Sequence, residues 1–546
     1  MPERAELRLG VDVGGTHTDA AILDRSDRLV ASAKVSTSAD VTGGVADAIA
    51  AVTARGVDTA RVTHAMLGTT HATNAVLERR NLRRVAVMRL GGPATHAVRP
   101  LFGWPGDLTD AVSAGEIIVD GGVEFDAREI RPLDTDAIAR FLASVADTAD
   151  AVAITSVFAP VSAEHEAVAR DLVATELGDV HVSLSNELGS IGLLERENAT
   201  TLNAALSGLA GDAAGAFRDA LVASGIEAVM SFAQNDGTLM RLERAMRFPV
   251  LTIGSGPANS LRGASYLTGI TDALVVDVGG TSADVGALVN GFPRESSAAV
   301  EIGGIRTNFR MPDLVTIALG GGSVLSRDGS EVRVGPASVG FRLSSEGLIF
   351  GGHTPTLTDA AVAIGRARLG DAERLPAGDS DLFREAMLRS DDMLEGAINR
   401  MKTSREDRPV VVVGGGSIVV PDRIRGASQV YRPEHADVAN AIGAAIAEVS
   451  GSVDRVVNLG AGGREAALRE AREDAHERAV LAGAAADRVR IVELEEIPLA
   501  YLSRPAVRIR AKAAGPLDLD AGPTGIEHPR VEAADHARTA GDATAG

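Results

Sequence analysis

A chain of 546 residues is long enough for two or three domains with sizeable cores, and 45% hydrophobic with 23% charged residues is an ordinary globular composition. The net charge of −20 argues against nucleic acid or an anionic membrane surface as main partner, while a nucleotide's charge could still be met locally. With no cysteine, thiolate nucleophiles, Cys-based zinc sites and disulfides are all excluded, so any metal must rest on oxygen or histidine ligands.

Aromatics make up only 3% of the chain and glycine supplies 60 residues, which points to close backbone packing and several turn-rich ligand loops. Pro2–Leu9 is charged and leads directly into an apolar stretch, leaving no room for a signal peptide. No run approaches the roughly 18 apolar residues of a membrane-spanning helix, so the expected location is the cytoplasm.

In chain order, Leu7–Val13 reads as a buried strand, followed by a Gly-Gly turn and a second strand, Ala20–Leu23. Leu29–Val35 reads as a third strand and Thr42–Ala54 as an amphipathic helix. A strand at Arg61–Leu67, a helix at Ala72–Arg80 and a strand at Arg84–Leu90 come next. Helix and strand then alternate through Thr135–Ala146, Ala151–Thr155, Ala163–Leu177 and Val180–Leu184. Two helices, Leu194–Ser207 and Gly211–Ser224, precede a strand at Ala228–Phe232. Such alternation indicates an α/β architecture with helix-covered sheets.

At Leu274–Val278 the opening pattern returns. Asp12-Val-Gly-Gly-Thr-His-Thr-Asp19 and Asp277-Val-Gly-Gly-Thr-Ser-Ala-Asp284 differ only at their sixth and seventh positions and lie 265 residues apart. Each follows an apolar strand and precedes another strand, the signature of a duplicated α/β unit. In such a hairpin Gly14 and Gly15, or Gly279 and Gly280, let the backbone approach a phosphate and donate N–H groups to it. Thr16 and Thr281 add hydroxyl donors, and Asp12 and Asp277 are candidate Mg²⁺ ligands, directly or through water. Asp12, Asp277 and Asp284 are the candidate catalytic carboxylates, and two facing loops would clamp phosphates between the halves.

Val410–Val413 runs into Gly414, Gly415, Gly416 and Ser417, a strand and tight turn where an adenosine could lie on bare backbone, with a helix expected at Ala436–Val449. The order Asp-loop, Asp-loop, Gly-rich turn is that of ATP sites in the actin/hexokinase/heat-shock-70 fold. Beyond residue 450, a strand at Val453–Val457, a helix at Arg464–Ala482 and strands at Val489–Glu495 and Ala506–Ala513 read as a small α+β module. From about Pro516 the chain lacks apolar periodicity and reads as a disordered tail.

The opening Gly10–Asp19 resembles the start of hydantoinase/oxoprolinase family proteins, and Gly68-Thr-Thr-His-Ala-Thr-Asn-Ala-Val-Leu-Glu78 resembles that family's G-T-T-x-x-T-N-A-x-x-E stretch. Glu195–Asn203, Ser255–Ala258, Gly320–Ser323, Arg333–Pro336 and Pro355–Asp359 match the family in its order, so that the likeness spans about four-fifths of the chain. It implies a duplicated ATPase fold with an interdomain nucleotide cleft. The expected division is 1–190 for the N-terminal-like domain, 191–450 for the ATPase domain, 451–515 for the module and 516–546 for the tail.

The resemblance further implies ATP- and Mg²⁺-dependent opening of a cyclic amide such as a hydantoin or 5-oxoproline, through phosphorylation of the amide oxygen. It places Thr69, Thr70, His71 and Asn74 in a segment capping the cleft. Asp359 is either a helix cap or a metal or substrate carboxylate, with the cap favoured, and Asn74 is equally a helix-face residue. His17 follows the first loop and is equally a plain strand residue. A hydantoinase B-like or other partner subunit, and an oligomer, are expected. Two departures bear on substrate: Asp313-Leu-Val315 lacks the histidine of the family's D-x-H, and Ser338–Arg342 replaces its Pro-Ala-Cys-Tyr-Gly segment. The ATP-using subunit of a ketone carboxylase and a nucleotide-switch protein without a small-molecule substrate are the alternatives.

Overall fold

The computed structural model describes residues 6–36, 41–189, 191–296, 299–329, 331–446, 448–458, 463–499 and 506–519. The expectations for Pro2–Ala5 and for residues 520–546 of the tail lie outside these.

Antiparallel strands β1 (Leu7–Val13), β2 (His17–Asp24) and β3 (Leu29–Ser36) open the chain, and β4 (Val62–Thr69) adds parallel to β1 after helix α1 (Val41–Thr53). Helix α2 (His71–Glu78) follows β4 directly. An all-parallel sheet in the order β6-β5-β7-β8 is then inserted, from β5 (Val85–Gly92), β6 (Ser113–Asp120), β7 (Ala151–Ser156) and β8 (His181–Leu184). Its β5 and β7 are buried along their whole length, as a helix-covered parallel sheet requires. Helix α3 (Leu193–Ala205) packs on it, and β9 (Val229–Ala233) and β10 (Thr238–Arg241) return to the first sheet.

Helix α4 (Ser255–Thr268) leads into the second half, where β11 (Leu274–Val278) and β12 (Ala283–Val289) repeat the opening hairpin. A small hairpin of β13 (Val300–Ile302) and β14 (Ile305–Thr307) follows, then β15 (Leu314–Ile317) against β12. After the long helix α5 (Ser380–Met401), β16 (Arg408–Val413) pairs parallel to β11 and β17 (Ala427–Tyr431) parallel to β16. The two halves share a plan: β1 and β11 each carry a hairpin partner on one side and a parallel strand on the other. This is the duplicated α/β ATPase fold of the actin/hexokinase/heat-shock-70 type.

Helix α6 (Ala439–Ile446) leads back out of the second half. The helix expected to reach Val449 stops at Ile446, because Glu448 already begins the next strand, β18 (Glu448–Asn458). Helices α4 and α6 cross backbone to backbone. A Cβ on Gly263 would overlap the Ala439 carbonyl, one on Gly443 the Asn259 carbonyl, and one on Gly10 the Ala441 carbonyl. Glycine at these positions is demanded by closeness, since none of the three has a positive φ.

Residues 448–515 do not stand apart as a module. Strand β18 pairs parallel to β10 and antiparallel to β20 (Ala506–Gly515), which takes β19 (Arg490–Pro498) at its outer edge, so that the first sheet reaches nine strands. Helix α7 (Gly463–Leu481) lies on this extension through Ala467, Ala471, Ala475 and Ala479, all buried at i, i+4 spacing. The first half therefore runs to about residue 254 and resumes at 448, and the expected boundaries at 190 and 450 fall inside or beside it. Chain-distant pairing overrides the compositional break. Residues 516–518 are also held, by Ala485 N–H donating to the Pro516 carbonyl and Asp518 N–H to the Gly483 carbonyl, both at 2.9 Å. No described helix is long and apolar enough to cross a membrane.

Candidate functional site

Each strand–Gly-Gly–strand hairpin sets two aspartates opposite one another across the ladder, Asp12 with Asp19 and Asp277 with Asp284. Both turns open into one cleft of about 1170 Å³ between the halves. Its walls include Gly14, Gly15 and Thr16 from the first hairpin and Gly279, Gly280 and Thr281 from the second, with Gly414, Gly415 and Gly416 from the turn after β16. The loops come close enough that a Cβ on Gly280 would lie 3.4 Å from Thr16 Cγ2. Gly15 has open space where a side chain would stand, so its backbone faces the cleft bare.

The triple glycine divides its labour. Gly414 has φ +86, and a Cβ there would collide with the Asp277 carboxylate and the Val278 carbonyl. A Cβ on Gly416 would collide with the Gly279 carbonyl. These two let the turn lie flat on the second hairpin. At Gly415 the nearest atom to a Cβ would be Lys34 Cε, at 3.4 Å, so this glycine keeps the cleft itself clear.

The crossing helices hold the motif aspartates. Asn259 of α4 donates Nδ2–H to Asp12 Oδ1 at 3.0 Å, and Asn440 of α6 donates Nδ2–H to Asp12 Oδ2 at 2.9 Å. Ser260, beside Asn259, donates to Asp277 Oδ2 at 2.5 Å, and Thr316 of β15 donates to Asp284 Oδ1 at 2.5 Å. Lys34 of β3 bonds both oxygens of Asp19, at 2.7 and 2.9 Å, and also the Asp437 carbonyl of the second half at 2.9 Å. Asn259, Asn440, Ser260, Asp19 and Lys34 escape a reading for candidate site residues. Only Asp19, which closes the first repeat, carried a signal there.

Burial dominates the electrostatics. It pushes the Asp12 carboxyl up to about 6, opposed by the Asn259 and Asn440 amides and assisted by the Asp19 and Asp277 charges. Asp284 is pushed up to about 6 by burial, against the Thr316 hydroxyl. Burial raises Asp277 as well, against the Ser260 hydroxyl, and raises Asp19 against the Lys34 ammonium. His17 lines the cleft and is driven toward its neutral form by burial and by Lys34. A set of buried carboxylates reluctant to ionise is one that a divalent cation would relieve.

The remaining expected residues separate clearly. Thr70 lines the cleft, its hydroxyl donating to the Val13 carbonyl at 3.0 Å, and Thr73, not singled out before, lines it too. Thr69, His71 and Asn74 do not line it: the Thr69 hydroxyl is taken by His71, and the Asn74 amide turns back to Thr70 Oγ1 at 3.5 Å. Ser417 does not line it either, since it begins a short 3₁₀ turn whose carbonyl accepts from Arg432.

Asp359 is the cap. It completes a reciprocal capping box with Thr356, accepting from Thr356 N–H at 2.8 Å and Ile349 N–H at 2.9 Å while fully buried. Asp359 does not line the cleft, and both of its oxygens accept hydrogen bonds within the cap. Among the described residues no group of three or more His, Asp or Glu side chains forms a metal cluster.

A duplicated α/β ATPase fold with paired Asp-Gly-Gly-Thr hairpins facing one cleft defines the class of protein. Within that class the chain belongs to the hydantoinase/oxoprolinase family, whose N-terminal region model matches residues 8–177 and whose hydantoinase/oxoprolinase model matches residues 196–400. Curated relatives include the caprolactamase subunit alpha of Pseudomonas jessenii, 28% identical over 68% of this chain and 57% of its own length. The acetophenone carboxylase gamma subunit of Aromatoleum aromaticum is 25% identical over 65% of this chain and 53% of its own length. The chain thus aligns with little more than half the length of these relatives. Among solved structures, the ATP-dependent caprolactamase of Pseudomonas jessenii superposes over 94% of this chain and 88% of its own with a TM-score of 0.74 at 20% identity. An acetone carboxylase superposes over the same shares with a TM-score of 0.68 at 18% identity. At those identities the superpositions speak for the fold.

Proposed function

We propose that this chain is the ATP-using subunit of a hydrolase that opens a small cyclic amide by phosphorylating the amide oxygen. The observation that carries the reading is the pair of Asp-Gly-Gly-Thr hairpins meeting across one cleft, joined by a glycine turn that leaves space for a nucleoside. The family and the caprolactamase and 5-oxoprolinase relatives, the latter from Arabidopsis thaliana, support the amide as substrate.

In this reading Gly14–Thr16 and Gly279–Thr281 cradle the phosphates through N–H and hydroxyl donors, and Gly414–Gly416 leave room for the adenosine. Two carboxylates, Asp12 and Asp277, suit Mg²⁺, which favours one or two carboxylates with waters and phosphate oxygens over an all-protein cage. Bound there, the ion would neutralise charge on the transferring phosphoryl group. Asn259 and Asn440 orient Asp12, and Ser260 orients Asp277. Gly256, in the first turn of α4, lines the cleft beside Asp12, where its backbone N–H favours an oxygen gaining negative charge. With the amide oxygen carrying the phosphoryl group, water adds to the ring carbon, the ring nitrogen leaves with a proton as the C–N bond breaks, and a second water releases phosphate from the resulting acyl phosphate, so that one ATP and two waters give the ring-opened amino acid, ADP and phosphate.

A partner subunit, as the subunit names of the relatives suggest, would supply whatever the hydrolytic half requires. The test is ADP release by the purified chain, alone and with any co-purifying partner, across hydantoins, 5-oxoproline and simple lactams with Mg²⁺. Stimulation by a ring compound supports the reading, and its absence across the panel refutes it. The acetophenone carboxylase relative supports a second reading, a ketone carboxylase subunit, for which ADP release would instead require ketone and bicarbonate together.

Gly415→Val is expected to weaken nucleotide binding by about tenfold or more by excluding volume from the cleft, at an unchanged melting temperature. Gly414→Ala is expected to lower the melting temperature, because its Cβ meets the Asp277 carboxylate and strains a left-handed residue. Calorimetric titration with a non-hydrolysable ATP analogue, alongside thermal melts, separates the two.

A further inference from the structure

The apolar lining of the cleft falls in two places. One, with Leu343 and Ile418, lies at Gly414–Gly416. The other is an apolar end walled by Leu77 of α2, Ile253, Val300 and Ile302 of β13, and Met311. Three contacts close this second end. A Cβ on Gly303 would stand 2.8 Å from Val76 Cγ1, so the β13–β14 turn sits on α2. The Thr73 hydroxyl donates to the Ile253 carbonyl at 2.6 Å, and a Cβ on Gly254 would lie 3.0 Å from Met311 Cε.

The charges are equally one-sided. Among the described lining residues seven are carboxylates, including Glu301 and Asp313 at the apolar end, against a single lysine, Lys34. That lysine is committed: its ammonium bonds both Asp19 oxygens and the Asp437 carbonyl. His17 is held toward neutrality. Arg294, the one cation paired with Asp313, does not line the cleft. Ser297 and Ala298, which lie outside the described residues in the same segment, carry no charge in the sequence. The phosphates would have glycine-loop N–H groups, and a metal held by Asp12 and Asp277, to meet their charge. A second anion at the apolar end would find carboxylates and methyl groups, the first turn of α4 being given above to the amide oxygen.

We infer that the ring accepted here is uncharged: a lactam or hydantoin without an ionised substituent, with 5-oxoproline turned away by its carboxylate. This rests on the cyclic-amide reading and deepens it. An apolar wall rewards ring methylenes, and an unpaired carboxylate buried against it keeps its full desolvation cost.

Three probes separate charge from size: 2-pyrrolidinone, 5-oxoproline, and 5-oxoprolinamide, which has the size of 5-oxoproline without its charge. ADP release by the full chain, with any co-purifying partner and Mg-ATP, is measured for each. The expected kcat/KM for 5-oxoprolinamide exceeds that for 5-oxoproline by about tenfold or more, the scale of like-charge repulsion over several ångströms in a partly buried site. Val300→Arg, which adds a cation at the apolar end, is expected to reverse that ratio. A 5-oxoproline response equal to or above that of its amide overturns the charge inference and leaves the cyclic-amide reading standing. No response to any of the three or to hydantoin and caprolactam, with Mg-ATP still bound, removes both.

Discussion

Asp12→Asn is expected to cut ADP release by about 10²–10³-fold, the scale of losing one preorganised electrostatic partner of a transferring group. The same loss is expected for Asp277→Asn, measured by coupled ADP assay at saturating Mg-ATP. The fold should survive, and the empty Asp12→Asn chain should be the more stable one at neutral pH. The Asp12 carboxyl is raised from 3.8 to about 6 in the folded chain. A carboxyl raised in this way favours folding below its ordinary value, and that contribution is lost as pH rises through the folded one. At pH 7 the ionised group therefore opposes folding by about 3 kcal/mol, on the linkage of roughly 1.4 kcal/mol per pH unit of difference. Asparagine removes that cost. Its amide also finds an acceptor, since Asn259 Oδ1 is buried without a hydrogen-bond partner and can receive it when the Asn259 amide turns over. Thermal melts should show the variant ahead of wild type at pH 7 and the gap closing toward pH 4. Turnover at the wild-type rate would remove Asp12 from the chemistry.

Lys512→Met is expected to destabilise the chain by about 3–5 kcal/mol, the cost of breaking a buried ion pair from one side. The Lys512 side chain is 4% exposed, and its ammonium lies 2.7 Å from Asp236 Oδ2 and 3.2 Å from Glu295 Oε1. Glu295 in turn lies 3.1 Å from Arg310, which reaches Glu493 of β19 at 2.9 Å. Burial alone would raise Asp236, yet the Lys512 charge and the Thr238 hydrogen bonds hold it down at about 2. Its stabilising contribution is thus complete above about 3.8 and lost as pH falls toward 2. In the variant Asp236 loses its ion-pair partner and keeps only the more distant charges of Arg244, Arg262 and Arg310, so acidification relieves it, and the difference in melting temperature should narrow as pH drops from 7 toward 4. An unchanged melting temperature at pH 7 would mean that the C-terminal strands are held by their apolar face alone.

The Asp hairpins were legible because everything they need is local: an apolar strand, two glycines, a threonine and a returning strand, all between Leu7 and Asp24 in the first copy. The Gly414–Gly416 turn was legible for the same reason. The residues that hold the aspartates were not, since Asn259 and Asn440 lie 247 and 428 positions from Asp12 and only the fold brings them together. His71 and Asn74 misled because a family stretch fixes a place near the cleft without fixing which helix face looks into it; Thr70 and Thr73 do. Asp359 followed its local pattern, a Thr three residues before an acid at a helix start, and the cap won. Residues 451–515 read as a separate module because alanine, which carries the buried face of α7, gives almost no hydrophobic periodicity. The pairing of β18 with β10, more than two hundred residues away, leaves no mark in composition.

Where α4 and α6 cross, backbone rests on backbone, with Gly263 and Gly443 supplying the clearance. A joint of that kind has no rotamers to absorb a displacement. A slide of one helix along the other would drive backbone into backbone. Asn259 and Asn440 sit on the two members of that joint, and both grip one carboxylate. A change in the angle at which α4 and α6 cross would therefore alter the hydrogen-bond geometry at Asp12 directly.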